Sequence, residues 1–78
     1  MAIAFDIVVD TINEVLLDSG RERVPNIQRE FHLRSELGLD SLDLAVVNVK
    51  LEAATGIDVF KHKLGRTVGD IVDSLEAQ

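Results

Sequence analysis

Three stretches of this chain repeat their apolar residues at helical spacing, and none alternates with the two-residue period of a half-buried strand. In the first, "IAFDIVVDTINEVLLDSG", Phe5, Val8, Ile12, Val15 and Leu16 share one face, and Gly20 stands just beyond as a stop signal. This predicts a helix from about Ala4 to Asp18. In the last, "TVGDIVDSLEA", Val68, Ile71, Val72 and Leu75 form an i, i+3, i+4, i+7 stripe behind Thr67 and Asp70 in capping-box spacing. The middle one, "SLDLAVVNVKLEAAT", is preceded by Asp40, a good N-cap, and closed by Gly56. A short turn of helix is expected in "IDVFKHKLG", packing Ile57, Val59 or Phe60. The fold class that follows is all-α: a small four-helix bundle of three main helices and a short third one, with a long first loop.

That loop, "RERVPNIQREFHLRSELGLD", runs for some twenty residues, unusual within a domain of 78. Ile27, Phe31, Leu33 and Leu37 are spaced through it as anchors, so it reads as an ordered crossover. The length allows one domain, residues 1–78, with a narrow stability margin. No cysteine is available for a disulfide or a thiolate metal site. A net charge of −6 repels phosphate backbones and anionic lipid, so nucleic acid and membrane surfaces are poor partners. No apolar run is long enough to span a bilayer and no signal region opens the chain. A cytoplasmic, freestanding monomer is the expectation.

The stretch "ELGLDSLDLAVV" puts Ser41 between Asp40 and Asp43, where loop gives way to helix. A catalytic serine needs a base within hydrogen-bond reach. The two histidines, His32 and His62, sit in no recognisable motif, and the G-x-S-x-G elbow is absent. Two readings remain open from the residues alone. Ser41 helps start a helix, or it is itself modified, since an oxygen-linked phosphate there would lie near free N–H groups and the positive end of the helix dipole.

"LGLDSLDL", followed by an apolar helix, resembles the attachment motif of acyl carrier proteins. The similarity extends over the whole chain: length, acidity, long first loop, motif at mid-chain and "RTVGDIVDSL" as the last helix. The resemblance implies that Ser41 receives a 4′-phosphopantetheine arm from coenzyme A, whose thiol then carries an acyl group as a thioester. It implies no catalysis by the chain itself. The phosphopantetheinyl transferase would need Asp40, Ser41 and Leu42 in view, and acyl-loading and acyl-transfer enzymes would be the later partners. Asp40 before the serine favours an acyl carrier over a peptidyl carrier, whose motif more often has glycine and histidine upstream.

The middle helix carries two apolar stripes: Leu42, Ala45, Val46, Val49 and Ala53 on one side, and Leu44, Val47, Leu51 and Ala54 roughly opposite. Both could be core in a small bundle. The resemblance points instead to the first as the partner-docking face, through Leu42, Asp43, Val46, Val49 and Ala53. In fatty-acid-synthesis carriers this face is rich in glutamate, whereas here only Asp43 and Glu52 stand nearby. A specialised lipid, polyketide or related carrier is therefore expected before the general fatty-acid carrier. Two further departures, Thr55 at a usually aromatic position and Asn48 at a usually apolar one, need polar partners if buried. The alternative from another class is an unmodified helical adaptor using the same apolar face.

Lys61, Lys63 and Arg66 form a small basic cluster, read either as surface charge or as a contact for a carboxylated partner or cargo. His32 and His62 are too few for a metal site, and Asp40 and Asp43 lack the glycine and terminal glutamate of a calcium loop.

Overall fold

The computed structural model describes residues 3–59 and 65–77. It contains α1 (Ile3–Asp18), α2 (Ser41–Thr55) and α3 (Val68–Glu76), with no strand among the described residues beyond an isolated antiparallel bridge between His32 and Thr67. All three helices begin or end within one residue of where the sequence signals put them. The short helix expected in "IDVFKHKLG" falls largely on residues 60–64, and Phe60 with it, outside the described residues. Of the remainder, Val59 is buried and Ile57 packs at the edge of the core.

The helices are set by local chemistry at their ends. Asp40 accepts from the Asp43 amide at 2.8 Å while the Asp43 carboxylate accepts from the Asp40 amide at 3.1 Å, a reciprocal capping box at the start of α2. Thr67 and Asp70 repeat the arrangement at α3. Gly56 ends α2 at φ 78°, a left-handed conformation that a side chain would oppose.

Helix α1 packs against both α2 and α3. Its Val8, Ile12, Val15 and Leu16 meet Leu44, Val47 and Leu51 of α2 and Val68, Ile71, Val72 and Leu75 of α3 in one apolar core. Burial of such side chains is worth about 1.5–3 kcal/mol each, far more than helix propensity contributes.

The long loop is ordered, and its anchors work as expected. Ile27, Leu33 and Leu37 are buried, and Phe31 packs partly against the core. Hydrogen bonds pin it at both ends. The buried Asn13 of α1 accepts from the Val24 amide at 2.8 Å. Farther on, the Leu33 amide donates to Arg66 and the Val68 amide to Phe31, tying the loop to the start of α3. Closing turns then form over residues 32–39, and the Arg21 guanidinium donates to the Gly38 carbonyl. The loop thereby delivers Ser41 to a fixed place at the head of α2.

Candidate functional site

Ser41 is the first residue of α2 and is exposed. The capping box occupies the Asp43 amide, and the Leu44 amide bonds to Asp40. The amides of Ser41 and Leu42 have no partner among the described residues and remain available to an acceptor. Arg34, from the closing turn of the loop, donates to Ser41 Oγ at 2.9 Å. A guanidinium only donates, so it cannot take the serine proton. Among the described residues no base bonds to this hydroxyl.

Arg34 also lines a pocket of about 490 Å3 with His32, Ser35, Gly65 and Arg66. Of the basic residues singled out in the sequence, Lys61, His62 and Lys63 lie outside the described residues. The pairing of His32 with His62 as metal ligands is therefore not on view. Among the described residues no cluster of three or more His, Asp or Glu stands ready for a metal.

The two apolar stripes of α2 have different fates. Leu44, Val47 and Leu51 are at most 2% exposed. Leu42 is 74%, Val49 63% and Val46 37% exposed, and Ala45 and Ala53 lie open beside them. One face is core and the other faces solvent. One placement, that of Ala54, differs from the sequence expectation. Ala54, assigned to the inner stripe, is exposed, whereas Asn48 and Thr55, assigned between the stripes, are half-buried. Angle alone does not set this: Thr55 lies about 20° and Asn48 about 40° round the helix from Leu44, but Ala54 lies only about 20° from buried Val47 and is exposed in the last turn before the Gly56 cap.

Thr55 satisfies its hydroxyl locally, donating to Leu51 at 2.7 Å and accepting from the Ile57 amide at 3.2 Å. Asn48 is different. Its Oδ1 is buried without a hydrogen-bond partner among the described residues.

Asp43, expected on the docking face, is half-buried beside the start of the long loop. Its side chain is 13% exposed and pairs with the Arg21 guanidinium at 2.6 Å. Partial burial opposes the charged form, but the bonds from Arg21 and from the Asp40 amide outweigh it and hold the carboxyl below its usual range. The Arg21 contact was not legible in the sequence, where "RER" reads as a solvated loop. Asp40, by contrast, stays exposed with Ser41 and Leu42 beside it, so the three residues expected to face a modifying enzyme are accessible together.

Comparison with protein-family models, curated proteins and solved structures finds no match to this chain.

Proposed function

We propose that this chain is an acyl carrier, holding an acyl group as a thioester on a 4′-phosphopantetheine arm attached to Ser41. The observation that carries the reading is Ser41 itself. Within "LGLDSLDL" it is exposed at the head of a capped helix, bonded among the described residues to a donor and to no base, with an open apolar face beginning at the next residue. Such a serine suits the role of an acceptor. In loading, Oγ attacks the phosphorus of coenzyme A that bears the pantetheine. An Oγ–P bond forms, the bond to the bridging pyrophosphate oxygen breaks, and adenosine 3′,5′-bisphosphate leaves. The serine proton passes to a base of the transferase.

The finer architecture belongs to this reading: a four-helix bundle, in a cytoplasmic monomer without catalysis of its own. The open stripe of Leu42, Val46, Val49 and Ala53 is the face for acyl-loading and acyl-transfer enzymes. Asp43 borders this face with its carboxylate paired to Arg21, which leaves the stripe itself without an unpaired charge of its own. Docking then rests on apolar burial and shape more than on charge, which fits fewer and more particular partners. This supports a specialised lipid or polyketide pathway over general fatty-acid synthesis.

The test is intact mass after incubation with coenzyme A, magnesium and a broad-specificity phosphopantetheinyl transferase, beside Ser41→Ala. A gain of one phosphopantetheine on the parent protein alone is expected. No gain on folded protein would move the reading to an unmodified adaptor, for which the exposure of Leu42 and Val49 is the favouring observation.

A further inference from the structure

We propose that Arg34 is the counter-ion of a phosphoryl group esterified to Ser41 Oγ, holding that group at the mouth of the pocket Arg34 shares with His32 and Arg66. The inference rests on the reading of Ser41 as a modified residue and adds what receives the phosphate.

Charge is the first argument. The chain carries −6 overall, and Arg21, Arg29 and Lys50 each pair with a carboxylate. Among the described residues no carboxylate pairs with Arg34 or Arg66, and the residues lining the pocket include two arginines and a histidine but no acid. The guanidinium bonded to Ser41 is thus free of carboxylate partners among the described residues, in a protein where acids outnumber bases. The hydrogen bond Arg34 does make, to a neutral hydroxyl, is a weak use of a group that binds phosphate in a bidentate fork.

Geometry is the second. Nη2 lies 2.9 Å from Oγ, so the non-bridging oxygens of a phosphoryl group, two bonds farther out, fall within reach of the same guanidinium. The unpartnered amides of Ser41 and Leu42 add donors from the other side. Asp40 and Asp43 oppose a new negative charge there. Arg21 already offsets Asp43, and Arg34 is the cation placed to offset the remainder. Ser41 also lies about 100° round α2 from Leu42. A phosphate held toward Arg34 therefore starts the arm on the pocket side and leaves the apolar face clear. Arg34 acts as a positioning residue and touches no reacting thioester.

Two forms of the protein test this: the transferase-modified protein, with a phosphodiester at Ser41, and protein with phosphoserine encoded at position 41. In each, phosphorus-31 and arginine side-chain NMR would be compared for the parent chain, Arg34→Ala, Arg34→Lys and the control Arg29→Ala. Installing either phosphate should shift the Arg34 Nε–H resonance. The phosphorus resonance should differ between parent and Arg34→Ala, fall between them for Arg34→Lys, and stay at the parent position for Arg29→Ala. In the phosphoserine form, the second phosphate ionisation should lie lower with Arg34 than with alanine by on the order of half a unit. If the transferase modifies Ser41 but Arg34 and the phosphorus signal do not respond to each other, the counter-ion inference falls and the carrier reading stands. If the transferase fails while phosphoserine pairs with Arg34, the carrier reading falls and the site remains one for a phosphomonoester. Silence of Arg34 in both forms overturns the inference outright, and should Arg34→Ala not fold, the parent resonances and Arg34→Lys decide it.

Discussion

Arg21 and Asp43, twenty-two residues apart, meet at 2.6 Å and join the start of the long loop to the first turn of α2. The same Arg21 side chain donates to the Gly38 carbonyl, and the same Asp43 carboxylate completes the capping box with Asp40. Two residues thus fix helix, loop and cap around Ser41. Asp43→Ala is expected to cost about 1–2 kcal/mol, because it removes the cap bond and strands the arginine. A double-mutant cycle with Arg21→Ala in urea denaturation should show coupling between the two.

The same pair predicts an acid limb. Asp43 titrates below its ordinary value of 3.8 in the folded chain. Its stabilising part is therefore complete above that value and is lost as pH falls through the depressed folded one. Asp43→Asn should be less stable than the parent at pH 7, with the gap narrowing as pH falls below 3.8. A gap that widens on acidification would contradict the pairing.

Asp40 serves the helix and faces solvent at once. Asp40→Ala should cost about 1 kcal/mol, while Asp40→Asn, an equally good cap, should leave stability nearly unchanged. Measuring transferase modification of Asp40→Asn then separates recognition from folding. A slower gain of mass at unchanged stability would assign the carboxylate to the modifying enzyme.

The two faces of α2 should respond in opposite ways. Leu51→Ala, at a fully buried position, is expected to lose about 2–5 kcal/mol. Val49→Glu, on the open face, should fall within about 0.5 kcal/mol of the parent by thermal or urea melting. Under the carrier proposal the same Val49→Glu protein would accept the arm normally yet fail in transfer with its cognate partner. Equal destabilisation by both changes would mean that this face is covered in solution.

Asn48 carries a buried acceptor that nothing described satisfies. Replacing it with leucine, of similar shape and better helix propensity, should raise stability by about 1 kcal/mol in urea denaturation. A loss of stability instead would reveal a partner for Oδ1.

Local signals determined the helices themselves. Apolar periodicity gave the inner faces of α1 and α3. Asp40, Thr67, Gly20 and Gly56 marked ends within a residue, because caps and left-handed turns act over only a few neighbours. Ser41 was legible for the same reason, as a residue at the head of a capped helix. Tertiary structure alone decided the rest. Periodicity showed two apolar stripes on α2 but could not say which one α1 would cover, since that depends on where the loop sets the helix down. It could not show that Arg21 would take Asp43 away from the surface, nor that Arg34 would reach Ser41 Oγ. Those contacts join segments brought together by the turns at residues 32–39, and charges in a sequence carry no record of which partner they will meet.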